Sequence, residues 1–263
     1  MKELKWLNGA MSKLYAITNQ KGGTGKSTTC VCLGAALAEV GKRVLMLDLD
    51  PQAGLTISLG QNPDSFEKTI YDALIDDETS LNKIIGQTKV KNLFLSPANL
   101  DLAGAEGELI GEIGWDRTLK DMLLPVLKDY DFILIDCPPS LGVLTTNALM
   151  AADRVIVPVQ SEYLATRGLI QLNRIISKVK KKGNPNLRIK ILRTMHDRRT
   201  SHTKEIVAEL ETAFKDQIYQ TVIKRTIKFA DSTAAGVPIL LYSKRSEGAE
   251  TYRQLAKEVL KDD

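Results

Sequence analysis

Eight consecutive residues near the start of the chain have the types and spacing of a phosphate-binding loop. They lie between an apolar run and a helical pattern and are Lys21, Gly22, Gly23, Thr24, Gly25, Lys26, Ser27 and Thr28. Glycines allow backbone N–H groups to surround phosphate oxygens, and the amino terminus of the next helix adds partial positive charge. In such a loop Lys26 reaches the β- and γ-phosphates and the Ser27 hydroxyl binds Mg²⁺. The pattern therefore predicts nucleotide binding with a magnesium ion.

Two residues of this loop depart from the usual motif. Gln20 stands where the first glycine is expected, and Lys21 is a second lysine that phosphate binding alone does not require. A solvated surface lysine is one interpretation of Lys21, and a second cation for the phosphates is the other. A glycine-rich turn with no ligand remains the plain structural alternative for the loop as a whole.

Three aspartates at the ends of predicted strands supply the acidic groups of a hydrolytic site. Asp48 and Asp50 are at alternate positions of an extended segment and so project to the same side. We predict that Asp50 orients or activates a water, and that Asp48 supports the Mg²⁺ shell or the loop. Asp136 ends a run of four apolar residues, which is typical of a strand that delivers a carboxylate to Mg²⁺, and Pro138 stiffens the loop that follows. Taken alone, each of these patterns also fits the ordinary end of a strand.

These groups require elements that bring them to one edge of a sheet. Strands are predicted at 14–18, 43–48, 93–97, 132–136, 154–159 and 188–194, with weaker ones at 218–222 and 239–242. Helices are predicted at 28–40, 118–128, 141–151, 165–182, 203–214 and 248–261. This alternation indicates an α/β fold, a doubly wound and mainly parallel sheet flanked by helices as in P-loop NTPases. Ligands bind such sheets beyond the carboxyl ends of the strands, where the motifs fall.

Length and composition are typical of one such domain. The chain has 263 residues, of which 43% are hydrophobic and 5% aromatic, and aliphatic strands of this kind are usually covered on both faces. We predict a short N-terminal extension over residues 1–12 and a single P-loop ATPase domain over 13–263. The three cysteines have no metal-ligand spacing. They also form no CxxC pair, and a reducing cytoplasm is the location that we predict from this cysteine usage. No run of about 18 apolar residues occurs, so we predict no membrane span.

The three motifs together resemble the deviant Walker A motif and its partner motifs in the ParA/MinD family of P-loop ATPases. The resemblance is strongest to the Soj-like ParA partition ATPases and extends from Leu14 to about Leu260, including 157–163, 194–200 and 244–250. It implies ATP and Mg²⁺ as cofactors, an ATP-dependent homodimer, and a Lys21 that crosses the dimer to the partner's nucleotide. It also implies non-specific binding of double-stranded DNA, association with the nucleoid, and hydrolysis stimulated by a ParB-like activator protein.

The basic residues are unevenly distributed. Lys and Arg total 36 against 32 acids, but the segment from Arg174 to Lys204 has eleven of them and one acid. Sequence-independent DNA binding needs such cations against phosphates. The candidate DNA-binding residues are Arg198, Arg199, Lys224, Arg225 and Lys228, of which Arg199 and Arg225 match family positions implicated in DNA contact. A solvated helix end is the alternative for the lysines at 178–182.

Other functions remain open. A ParA-like ATPase that positions a protein cargo on the nucleoid has the same sequence features. A membrane-bound MinD-like ATPase needs a basic amphipathic C-terminal helix, whereas this sequence ends in two aspartates. A metabolic P-loop enzyme leaves the basic segment without a role. No Asn-Lys-x-Asp run occurs, which favours ATP over GTP, and the resemblance places the adenine contacts at 194–197 and 223–225.

Overall fold

One twisted sheet organises the chain in the computed structural model, which describes residues 12–160, 165–196 and 214–262. Its described strands are β1 (Lys13–Ile17), β2 (Val44–Asp48), β3 (Gly86–Gln87), β4 (Leu93–Ser96), β5 (Phe132–Asp136), β6 (Arg154–Gln160), β7 (Arg188–His196) and β8 (Ile218–Lys224). They are arranged in the order β3-β4-β2-β5-β1-β6-β7-β8. Every neighbouring pair is parallel except β3 and β4. The doubly wound, mainly parallel sheet predicted from the sequence is thereby confirmed.

Helices cover both faces of this sheet. Those described are α1 (Lys26–Glu39), α2 (Gly54–Ser58), α3 (Ile70–Ile75), α4 (Leu102–Ile110), α5 (Thr118–Leu123), α6 (Val143–Ala151), α7 (Ala165–Lys182), α8 (Lys228–Ala234), α9 (Ile239–Tyr242) and α10 (Glu247–Lys261). Alternate residues of β1 belong to two separate buried clusters: Leu14 and Ala16 pack with α3 to α7, and Tyr15 and Ile17 pack with α1, α2, α9 and α10. The core is therefore divided between the two faces, as the two-residue period of a strand requires.

Helix α1 lies unusually close to the sheet. A Cβ atom at Gly34 would fall 3.0 Å from Met46 Sδ and 3.1 Å from a methyl of Leu93. A side chain there would push the helix away from β2 and β4. The close approach fixes the amino terminus of α1 at the carboxyl ends of the central strands, where the phosphate-binding loop enters it.

Most predicted elements are present with ends that shift by at most two residues, but the helix predicted at 118–128 ends at Leu123. The strand predicted at 239–242 is wrong, because this segment forms the short helix α9, whose last backbone N–H groups donate to Pro238 O. Four consecutive apolar residues carry no periodicity that separates a strand from a buried helical turn. Helices α2, α3, α4 and α8 were not predicted. The helix predicted at 203–214 lies outside the described residues except for Phe214.

The register of the central strands brings the chemical groups together. Asp136 at the end of β5 is paired with Ile17 of β1 on one side and with Asp48 of β2 on the other. Beyond the strands, Leu49 N donates to Asp136 O and Cys137 N donates to Ile17 O, both at about 3 Å. The loops that follow β1, β2 and β5 therefore meet at one edge of the sheet.

Candidate nucleotide and hydrolytic site

The loop between β1 and α1 has the backbone shape of a phosphate cradle. Gly23 and Gly25 have φ angles of +71° and +91°, a conformation that residues with a Cβ rarely adopt. Gly25 immediately precedes α1, and Lys26 is the first residue of that helix and is buried. The loop thus delivers its backbone N–H groups and one lysine to the positive end of α1, which is the arrangement that binds phosphates.

Neighbouring strands hold the loop in place. Asn19 accepts a hydrogen bond from Lys21 N at 3.0 Å through Oδ1 and donates from Nδ2 to Pro158 O at 2.7 Å. On the far side, Thr194 Oγ1 donates to Thr24 O at 2.9 Å. Residues of β6 and β7 therefore hold both the beginning and the middle of the loop.

The second lysine of the loop is exposed and lies at its rim. Its Nζ donates to Gln160 Oε1 at 2.9 Å, and Gln160 Nε2 donates to Gly23 O, also at 2.9 Å. Lys21 is thus separate from the cradle that contains Lys26, and in this structure it contacts its own chain. Gln160 was not singled out by the sequence analysis, because a glutamine at the end of a strand is chemically unremarkable until its partners are known.

Asp136 is the most conspicuous acid of the site. It is fully buried, and neither carboxylate oxygen accepts a hydrogen bond from any residue that the structure describes. Burial raises the pKa of Asp136 well above its usual value and the charge of Asp48 adds to this, while the Ser27 hydroxyl and the Lys26 ammonium act in the opposite direction. A buried carboxylate without donors is costly unless a cation or a proton compensates it.

The residues present fit a magnesium ion. Mg²⁺ prefers carboxylate and hydroxyl oxygens together with phosphate oxygens and water, and Asp136 and Ser27 provide such oxygens beside the loop. Gly54, the first residue of α2, leaves room there, since a Cβ atom at this position would lie 3.2 Å from Ser27 Oγ. Ser27 and Asp136 are therefore two residues that could hold the ion, and the metal-binding role predicted for Ser27, Asp48 and Asp136 remains a prediction.

The buried carboxylate of Asp48 is already engaged with protein donors. Its Oδ2 accepts hydrogen bonds from Thr56 N at 2.8 Å and Thr56 Oγ1 at 2.7 Å, and its Oδ1 accepts from Asp50 N at 3.2 Å. Burial raises the pKa of Asp48, and the hydrogen bonds from Thr56 oppose the shift. These bonds join Asp48 to α2 and to the turn after β2, so both roles predicted for it, in the Mg²⁺ shell and at the phosphate-binding loop, remain predictions.

Asp50 and Pro138 lie at the mouth of the site. Asp50 is half-buried, and its Oδ1 accepts a hydrogen bond from Gln52 N at 3.0 Å, which fixes the turn after β2. Pro138 is buried in the loop after β5, two residues beyond Asp136. Both residues therefore stand at the edge where a γ-phosphate and an attacking water would be, although the catalytic role of Asp50 remains a prediction.

A largely apolar cavity of about 530 Å³ opens beside the loop. Its wall contains Thr24, Gly25, Thr28, Thr194, Met195, Ile223, Lys224, Arg225, Thr226, Phe229, Ala230, Thr233, Ala234 and Tyr252. Its position next to the cradle and its apolar lining suit a nucleotide base. The segments predicted to contact adenine contribute Thr194, Met195 and residues 223–225. Helix α8 also forms part of the wall, which the sequence analysis missed together with the helix itself.

Comparison with known proteins identifies the family. Residues 12–189 match a family model described as an AAA domain. The chain is 49% identical over 250 residues to the sporulation initiation inhibitor protein Soj of Bacillus subtilis, with 95% of this chain and 98% of that protein covered. This chain belongs to the ParA/MinD-type family of P-loop ATPases. It is an ATPase whose cofactors are ATP and Mg²⁺.

Further relatives of this ParA/MinD-type ATPase carry different names. The chromosome partitioning protein ParA of Myxococcus xanthus is 41% identical over 254 residues, with 96% and 89% of the two chains covered. A structure of cobyrinic acid a,c-diamide synthase from Mycobacterium smegmatis with bound ADP and magnesium is 39% identical, with a TM-score of 0.84 and 95% and 94% coverage. A putative plasmid partition protein of Borrelia burgdorferi bound to AMPPNP is 28% identical, with a TM-score of 0.81 and 96% and 100% coverage.

The predicted DNA-binding residues are only partly described in this ATPase. Arg198 and Arg199 lie outside the described residues. Lys224, Arg225 and Lys228 are exposed and lie close together, at the end of β8 and the start of α8. Lys224 forms an ion pair with Glu247, and Lys228 Nζ donates to Ser243 Oγ at 3.4 Å. Lys224 and Arg225 line the cavity and Lys228 begins α8, so the three cations lie within five residues of one another in the chain.

Proposed function

We propose that this chain is a ParA-type partition ATPase. ATP joins two copies into a dimer, the dimer binds double-stranded DNA without sequence preference, and a ParB-like protein stimulates hydrolysis and releases the DNA. The observation that supports this proposal most directly is the position of Lys21, an exposed lysine at the rim of a complete phosphate cradle. Partition proteins among the relatives agree with it. The domain over 13–263, preceded by a short extension, acts in the cytoplasm on the nucleoid.

The chemistry is hydrolysis by positioning and charge stabilisation. Backbone N–H groups of the loop and the Lys26 ammonium bind the phosphate oxygens and stabilise negative charge at the β- and γ-positions. Ser27 and Asp136 hold the metal, which when bound neutralises charge on the phosphates. Asp50 orients the attacking water and accepts its proton, and the γ-phosphate then leaves as inorganic phosphate with ADP as the other product.

Lys21→Ala should separate nucleotide binding from dimerisation. Lys21 is exposed at the rim of the cradle, and its Nζ donates to Gln160 Oε1, so we expect ATP affinity within about fivefold of wild type, the size expected for an exposed charge. The ATP-dependent dimer and its hydrolysis should be lost. Binding of a fluorescent ATP analogue and light scattering with ATP and Mg²⁺ measure the two properties. A variant that dimerises and hydrolyses ATP like the wild type would remove Lys21 from the interface.

DNA binding should depend on ATP and on salt. We expect duplex DNA to be bound with ATP, but not with ADP or without nucleotide, and affinity to fall steeply with salt because phosphate contacts release counterions. Arg225→Ala should weaken binding equally on unrelated sequences and reduce the salt slope by about 1. Lys91→Ala, an exposed cation between β3 and β4 at the other edge of the sheet, is the matched control. Binding that is absent with ATP, or insensitive to salt, would contradict the proposal.

That titration also addresses the competing functions. The Mycobacterium smegmatis relative has the name of a metabolic enzyme, cobyrinic acid a,c-diamide synthase. A metabolic P-loop enzyme would not bind DNA in response to ATP. A ParA-like ATPase that moves a protein cargo would bind DNA in the same way and would differ only in its partner. The ParB-like partner of the partition proposal is therefore tested separately, by stimulation of hydrolysis in the presence of DNA.

Membrane targeting through the last helix is disfavoured by its packing. No helix in the described part of the chain is long and apolar enough to cross a membrane. The apolar residues of α10, among them Tyr252, Leu255 and Val259, are buried against the core rather than turned outward. A helix whose apolar face is already used inside the protein cannot lie on a lipid surface without leaving the fold.

A further inference from the structure

The side-chain amide of Gln160 joins two parts of the nucleotide loop. Gln160 is the last residue of β6 and is half-buried. Its oxygen accepts a hydrogen bond from Lys21 Nζ at 2.9 Å, and its nitrogen donates to Gly23 O at 2.9 Å and contacts Met195 Sδ. One amide therefore holds the loop backbone and the second lysine at the same time, and connects both to the end of β7.

This geometry has a consequence for a lysine that acts on a partner. While Lys21 Nζ donates to Gln160, its side chain lies along its own chain. To reach a phosphate across a dimer, the ammonium must exchange the Gln160 oxygen for a phosphate oxygen. We propose that Gln160 is a positioning residue for Lys21, which holds the ammonium in the monomer and releases it when the ATP dimer forms. The inference rests on the proposed role of Lys21 across the dimer.

The hydrogen bond from Lys21 Nζ to Gln160 Oε1 is weak enough to break and re-form reversibly, and we call this arrangement a latch. The hydrogen bond is solvent-exposed, and exposed charged contacts change an equilibrium by about two- to fivefold. A charged phosphate oxygen is a stronger acceptor than a neutral amide oxygen. The exchange therefore favours the dimer once a partner's nucleotide is in place, whereas without it Lys21 remains on Gln160.

Two substitutions separate this latch from simple support of the loop. Gln160→Leu removes both the acceptor and the donor while keeping a similar size. Gln160→Glu also removes the donor to Gly23 O, but it keeps the acceptor and gives it a charge that holds the ammonium more firmly. If Gln160 only supports the loop, the two variants behave alike, because both lose the bond to Gly23. If it is a latch for Lys21, they change dimerisation in opposite directions.

The experiment measures the dimer and the lysine separately. The dimer dissociation constant is determined by analytical ultracentrifugation at saturating AMPPNP and Mg²⁺, so that changes in nucleotide affinity do not contribute. The acylation rate of Lys21 in the nucleotide-free monomer is followed by mass spectrometry, with Lys120 as the internal reference. Gln87→Leu and Gln87→Glu, at an exposed position of edge strand β3, are the matched controls.

We expect Gln160→Leu to tighten the dimer by about two- to fivefold and to raise the acylation rate of Lys21, and Gln160→Glu to do the reverse by a similar factor. Shifts in the same direction, or equal acylation in all three proteins, overturn the latch while leaving the proposed function intact. A wild-type protein that stays monomeric with AMPPNP overturns the proposed function, and with it the latch, since no dimer then competes for Lys21.

Discussion

Lys26→Ala is expected to abolish nucleotide binding. Lys26 is buried at the first position of α1, where we expect its ammonium to bind the β- and γ-phosphate oxygens. Each hydrogen bond between charged groups contributes about 1.5–3 kcal/mol, so losing two of them should weaken ATP affinity by about 100-fold or more. Lys26→Arg should also bind poorly, because a planar guanidinium does not fit the place of a compact ammonium.

Calorimetric titration with ATP and Mg²⁺ measures this effect. Lys120→Ala, at an exposed position of α5, which packs on the opposite face of the sheet from α1, should bind like the wild type. Thermal unfolding without nucleotide shows whether the variants keep the fold. This control is needed because the Lys26 charge stabilises the ionised form of buried Asp136. That charge lowers the pKa of Asp136, although burial raises this pKa by more. An affinity within about tenfold of the wild type in a folded Lys26→Ala protein would contradict the assignment of Lys26.

The phosphate cradle and the mainly parallel sheet were accessible from the sequence because their signals are local. The loop from Lys21 to Thr28 is contiguous, and the buried parallel strands are continuous apolar runs that end in the chemical residues. Asp48 and Asp136 were placed correctly at one edge because carboxyl ends of parallel strands meet there. Such inferences need only the chain direction and the fold class.

The supporting contacts were not accessible, because they join residues that are distant in the chain. Gln160 is 139 residues from Lys21, and nothing in its own segment indicates that its amide reaches the loop. Thr56, which occupies the carboxylate of Asp48, lies in α2, a helix of five residues that is too short for a periodic pattern. The run at 239–242 was wrongly predicted as a strand for the same reason, because four apolar residues are too few to show a helical or a strand period.

The nucleotide site and the proposed DNA surface share their elements. Strand β8 ends with Ile223 and Lys224, which line the cavity beside the loop, and Arg225 follows directly. Thr194 at the end of β7 holds the loop through Thr24 O. A nucleotide that occupies the cavity therefore contacts the segment that carries the proposed DNA-binding cations. Through these contacts the bound nucleotide can change the position of the cations, and with it the affinity for DNA.

Asp50→Ala is expected to slow ATP hydrolysis and to leave ATP binding intact, whereas Lys26→Ala is expected to abolish ATP binding. The variant loses the hydrogen bond from Gln52 N to the Asp50 side chain. It keeps the backbone bonds from Asp50 N to Asp48 Oδ1 and from Ala53 N to Asp50 O, so the turn after β2 should persist. Loss of the group that orients and deprotonates the water should slow hydrolysis by about 100-fold or more. ATP affinity should be kept or improved, because one negative charge near the γ-phosphate is removed.

Single-turnover hydrolysis and light scattering in ATP and Mg²⁺ test this prediction together. The Asp50→Ala protein should accumulate as an ATP-bound dimer that persists while the wild type returns to monomer. Asp50→Asn keeps the size and the hydrogen bond to Gln52 N but cannot accept a proton, so it should be as slow as Asp50→Ala if proton transfer is the essential step. Asp64→Ala, an exposed aspartate after α2, should hydrolyse ATP normally. Normal turnover in Asp50→Ala would remove Asp50 from catalysis, and the deprotonation of water would then have to be assigned to another group at the mouth of the site or to the γ-phosphate itself.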